Sequence, residues 1–123
     1  MIHLDTNALI ALPLWANEGH AVLDAIAAGE PAGVCAICWY EFLIGPIDRE
    51  EVSLARAFIR QNVVPMQMED AVLAADLYNH VGRRRSLKTD TVIAAMAIRA
   101  NASLLTINVD DFRPFLQHGL RLA

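Results

Sequence analysis

Short, mostly apolar runs separated by longer stretches of helical period constrain this chain more than any other feature. Met1–Leu4, Gly33–Ile37, Val63–Met66 and Leu104–Ile107 are too short for helices, are flanked by polar or turn-forming residues, and read as strands. Between them, apolar residues recur every three or four positions. The segment Ala8–Ala28, interrupted at Pro13 and Gly19 and stopped at Gly29, reads as two helical pieces. Further helices are expected over Trp39–Ile44, ending at Gly45-Pro46, over Glu50–Gln61 with Val52, Ala55, Phe58 and Ile59 inward, over Glu69–Val81 and over Thr89–Ala100. Pro65 has no N–H to give a ladder, which puts the third strand at an edge or makes Pro65 its end. Phe112–Leu122 is expected to hold a helical turn and a last short strand.

Strands that alternate with helices require right-handed crossovers, and these give a mostly parallel sheet covered on both faces. The expected class is therefore α/β, with three layers. A chain of 123 residues supplies one domain, 1–123, with no linker or internal repeat. Its 55% hydrophobic content is enough to fill a core and excludes a disordered tail. No apolar stretch approaches the roughly 20 residues that span a bilayer. Met1-Ile2-His3-Leu4-Asp5 has no basic region and carries an acid where a signal peptide is apolar, so a cytoplasmic protein without membrane association is expected.

In a parallel sheet, residues that follow strands and residues that open the returning helices converge on one edge. Four acidic positions belong there. Asp5 follows the first strand, Glu41 stands inside Trp39-Tyr40-Glu41-Phe42-Leu43-Ile44, Asp90 opens a helix, and Asp110-Asp111 follow the strand that ends at Ile107. Ordinary roles exist for three of them: Asp5 bonding its own turn, Asp90 favoured by the helix dipole, Asp111 capping the last helix. Glu41 is the hardest to excuse: a solvated helix face accounts for it only if the surrounding aromatic residues point the other way. An acid in an apolar run is costly to bury unless it is paired or binds a metal, and few cations lie near these acids in sequence.

The charge balance, 10 basic against 14 acidic groups for a net −4, excludes binding of nucleic acid through a broadly basic surface. A local patch remains: Arg83, Arg84, Arg85 and Lys88 fall within six residues, and read either as a solvated turn or as contacts for phosphate. Cys35 and Cys38 form the only C-x-x-C. No second pair among His3, His20, His80 and His118 completes a zinc site, and the apolar surroundings mark both thiols as core residues.

Taken in order, Leu4-Asp5-Thr6-Asn7, Glu41 with Gly45, Asp90-Thr91-Val92-Ile93-Ala94-Ala95-Met96-Ala97 and Leu105-Thr106-Ile107-Asn108-Val109-Asp110-Asp111-Phe112 resemble the successive motifs of PIN-domain ribonucleases. Within that family the chain is most similar to the VapC toxins of type II toxin-antitoxin systems. The resemblance covers nearly the whole length and implies an endoribonuclease dependent on Mg²⁺ or Mn²⁺. It makes Asp5, Glu41 and Asp90 metal-binding acids, with Asp5 and Asp90 the firmest ligands. The fourth site position falls on Asp111, on Asp110 or on Asn108. Thr6, Asn7, Thr106 and Asn108 match polar positions that orient acids, waters or substrate phosphate. The resemblance further implies an RNA substrate, such as tRNA or rRNA, a homodimer, and a small VapB-type antitoxin covering the acidic site.

Other α/β classes fit less well. A receiver-type phosphoacceptor wants an adjacent acid pair after strand one and a late Lys, whereas Asp5 stands alone and no Lys follows Lys88. A haloacid-dehalogenase-like phosphatase wants Asp where Asn7 stands. A PIN nuclease of RNA processing outside a toxin system, and a non-catalytic domain that binds RNA or a partner, remain as alternatives. The chain contains no G-x-S-x-G, G-x-x-x-x-G-K or G-x-G-x-x-G motif.

Overall fold

The computed structural model describes residues 1–123. Five strands, β1 (Ile2–Leu4), β2 (Ala32–Cys35), β3 (Val63–Val64), β4 (Ser103–Leu105) and β5 (Arg121–Leu122), form one sheet in the order β3-β2-β1-β4-β5. Every pairing is parallel, with His3 level with Gly33 on one side and with Leu104 on the other. Helices α1 (Thr6–Glu18) and α2 (Ala21–Ala27) link β1 to β2, and α3 (Ala36–Leu43) and α4 (Arg49–Phe58) link β2 to β3. The consecutive helices α5 (Met68–His80) and α6 (Lys88–Arg99) then carry the chain from the β3 edge back to β4. A short helix α7 (Val109–Phe112) and a 3-10 segment, Arg113–His118, precede β5.

The strand order runs outward from β1 through β2 to β3, then returns to the other side of β1 for β4 and β5. The strand order therefore reverses at β1, and the crevice beyond the carboxyl ends of β1 and its neighbours is where such sheets bind ligands. Asp5 stands at that point. A cluster of 27 buried residues, including Leu4, Leu9, Val34, Phe42, Ile93, Met96, Leu104 and Phe112, locks the layers behind it.

Local signals explain most element ends. Asp5 caps α1 by accepting from the Thr6 amide, Asp48 caps α4 by accepting from the Glu51 amide at 2.8 Å, and the Asp70 carboxylate accepts from the Gln67 amide at 2.8 Å to open α5. Gly19, with φ of 82°, ends α1 in a backbone conformation that L side chains avoid.

Several boundaries differ from the sequence reading, among them the third strand, which ends at Val64 and not Met66. The expected break at Pro13 does not occur: α1 runs through it, because Pro13 is exposed and costs the helix one hydrogen bond while Leu9 and Leu12 stay packed in the core. The second strand ends at Cys35, not Ile37, and α3 begins at Ala36, not Trp39. That switch lies inside an apolar run whose N-cap position is Cys35, a residue that makes no side-chain cap and so gives no start signal. The fourth strand ends at Leu105, because the Thr106 hydroxyl accepts from the Asn108 amide at 3.0 Å and turns the chain.

Candidate active site

The carboxyl edge of the sheet gathers side chains from four places in the sequence. Asp5 leaves β1 and is only 5% exposed. Its Oδ1 accepts from the Thr6 amide at 2.8 Å and from the Cys38 thiol at 3.5 Å, while its Oδ2 accepts from the Thr106 hydroxyl at 2.7 Å and the Asn7 amide nitrogen at 3.2 Å. Four donors thus fix one buried carboxylate. Asn7 continues the brace by accepting from the Ile107 amide at 2.9 Å, which ties the start of α1 to the turn after β4. Glu41, half-buried on α3, accepts from the Thr6 hydroxyl at 2.9 Å.

Asp90 sits in the first turn of α6. Burial raises its carboxyl first, and the negative charges of Asp5, Asp111 and Glu41, in that order, push it further, up to about 6. The four acids expected at this edge therefore act on one another electrostatically. No protein cation balances them: the ion pairs of the chain join the terminal amine to Glu30, Arg99 to Asp70, and Arg113 to Asp110.

Of the three residues considered for the fourth acidic position, Asp111 is the one whose charge reaches Asp90. Asp110 is exposed and turned toward Arg113, 2.8 Å away. Asn108 is exposed and joins the site through its backbone amide, bonded to Thr106, rather than through its side chain. The basic cluster runs from the connection between α5 and α6, which carries Arg83, Arg84 and Arg85, to Lys88 at the start of α6, two residues before Asp90, and all four side chains are exposed. Arg83 lies over the Tyr78 ring and bonds to Asn79, whereas Arg84, Arg85 and Lys88 make no side-chain hydrogen bond or ion pair.

No group of three or more His, Cys, Asp or Glu side chains is arranged as a ready metal cage. The donor set is nevertheless one of hard oxygens with uncompensated negative charge, which suits Mg²⁺ or Mn²⁺ and not a soft metal.

Cys38 was not among the residues expected to act here. Its thiol is fully buried and lies against both Asp5 and Cys35, and the Cys35 contact together with burial keeps it protonated. The available signal was its spacing: Cys38 and Glu41 are three apart on one helix, and so share a face. Both cysteines are free.

The PIN domain family model matches residues 2–113. No curated protein sequence matches. Among solved structures, VapBC-1 from nontypeable Haemophilus influenzae superposes with a TM-score of 0.72 at 18% identity, over 100% of this chain and 97% of that one. DNA-bound VapBC from Salmonella typhimurium gives 0.70 at 16%, over 99% and 96%. A toxin-antitoxin complex from Klebsiella pneumoniae gives 0.67 at 23%, over 92% and 91%. At such identities the superpositions speak for the fold alone, but the family match spans most of the chain, from β1 through α7 with the acidic edge included and β5 outside it. The chain belongs to the PIN domain family.

Proposed function

We propose that this protein is a divalent-metal-dependent endoribonuclease and the toxin of a VapBC-type toxin-antitoxin pair. The observation that carries the reading is the buried Asp5 carboxylate, fixed by four donors at the carboxyl edge of the sheet with Glu41 tied to the adjacent Thr6, the charges of Asp5, Glu41 and Asp111 reaching Asp90, and no protein cation paired to any of the four. Such a cluster is unfavourable alone and becomes favourable when divalent charge enters it. Membership of the PIN family supports nuclease chemistry, and the similar structures described as VapBC and toxin-antitoxin complexes support an antitoxin partner.

Asp5 and Asp90 are the direct ligands in this reading, with Glu41 and Asp111 completing the shell or aligning the attacking water. Bound Mg²⁺ or Mn²⁺ supplies charge to the phosphodiester and lowers the pKa of water. The protein's own part is orientation. Thr106, Asn7 and the Thr6 amide hold Asp5 in one rotamer, and the Thr6 hydroxyl holds Glu41 beside it. Arg84, Arg85 and Lys88, free of intramolecular partners, draw the RNA backbone toward Asp90. The protein works in the cytoplasm as a homodimer on a structured cellular RNA such as tRNA or rRNA, and is silenced by a small VapB-type antitoxin.

Cleavage of single-stranded and tRNA substrates in Mg²⁺ or Mn²⁺ tests this. Wild type is expected to cut, chelation to stop it, and Asp5→Asn and Asp90→Asn each to lower the rate at least about 100-fold. Full activity in both variants overturns the reading.

A further inference from the structure

Three features of the site converge on a residue that neither the acids nor their polar supports include. Cys38 is the N3 residue of α3, fully buried, and its thiol donates to Asp5 Oδ1 at 3.5 Å, the same oxygen that the Thr6 amide reaches. Its sulfur also lies beside the Cys35 thiol, and that contact together with burial keeps Cys38 protonated, so that it can act only as a donor toward Asp5. A cysteine that merely filled the core would be indifferent to which way its proton pointed. This one faces a buried carboxylate, where an unmade donor contact is expensive.

We propose that Cys38 is a positioning residue for Asp5: its thiol proton fixes the carboxylate plane from the α3 side, opposite the Thr106 and Asn7 donors. This rests on Asp5 being a metal ligand, as argued above. Two donors on each oxygen leave the carboxylate no free rotation, and ligand carboxylates held in this way bind metal more tightly than free ones. Removing the thiol leaves Oδ1 with the Thr6 amide alone. Because S–H is a weak donor, the loss belongs at the low end of the 10- to 100-fold range that supporting residues show.

Cys38→Ala and Cys38→Val change side-chain volume in opposite directions and share only the absence of a donor. Cys38→Ser keeps a donor at the same atom position along the chain. The Mn²⁺ dissociation constant, read from the free-ion EPR signal without any RNA, is expected to rise about tenfold in both Cys38→Ala and Cys38→Val and to stay within about threefold in Cys38→Ser. Circular dichroism, recorded at the same temperature, confirms that each variant is folded during the titration. Equal affinity in all four proteins overturns the positioning role alone, as does a Cys38→Ser loss as large as that of the other two. Failure of the wild type to bind Mn²⁺ overturns the nuclease reading, and the positioning role with it.

Discussion

The Thr106 hydroxyl donates to Asp5 Oδ2 at 2.7 Å, joining the turn after β4 to the turn after β1 across a sequence separation of 101. The same hydroxyl accepts from the Asn108 amide, so one side chain both closes its own turn and orients the buried carboxylate at the centre of the sheet. Thr106→Val keeps the shape and removes both bonds. It is expected to lower metal affinity about 10-fold or more, whereas Thr106→Ser keeps most of it. Isothermal titration with Mn²⁺ reads the difference, and equal affinity in Thr106→Val speaks against the brace.

The raised Asp90 carboxyl sets opposite demands on stability and on metal binding. An acid whose pKa goes from the ordinary 3.8 to about 6 on folding binds more protons folded than unfolded in that interval. Stability of the metal-free protein therefore falls as pH rises from about 4 to about 6 and stays low above it. Asp90→Asn removes the penalty. After discounting for solvent screening of a part-exposed group, it is expected to raise the metal-free melting temperature at pH 7.5 by about 4 °C, equivalent to roughly 1 kcal/mol, while abolishing the stabilisation by Mg²⁺. A variant that melts lower than wild type without metal contradicts the cluster.

The architecture was legible because its signals are local. Val34, Leu104 and their neighbours are apolar runs too short for anything but strands, and Gly19 and Gly29 punctuate the first two helices through backbone freedom that sequence displays directly. Boundaries failed where no such chemistry exists. Cys35 opens α3 without a cap, and Pro13 is tolerated because solvent receives its ring, a fact that only packing decides. The acids at the edge were placed from their positions after strands and at helix starts, whereas the pairing of Asp110 with Arg113 is not legible in the sequence. Nor does C-x-x-C spacing announce that Cys38 meets Asp5, because that contact spans a separation of 33.

His3 supplies a second pH dependence of opposite sign. It is 2% exposed, its Nε2 has no hydrogen-bond partner, and burial followed by the terminal amine holds the ring below the ordinary 6.5 against the pull of Asp70. The folded protein keeps this ring neutral, while the unfolded chain takes up a proton below about 6.5, so stability falls as pH drops through that value. Because the Asp90 slope opposes it, the comparison belongs in the Asp90→Asn background. Adding His3→Met there is expected to flatten the decline in melting temperature between pH 7 and pH 5, and an unchanged decline contradicts the assignment.

The most direct test of the metal-bound acidic edge is the anomalous difference density of a crystal grown or soaked in Mn²⁺. A peak is expected between the Asp5 and Asp90 carboxylates, within coordination distance of both, and is expected to be lost in Asp90→Asn. A Mn²⁺-saturated crystal with no peak there, or with ions only at sites away from Asp5, contradicts it.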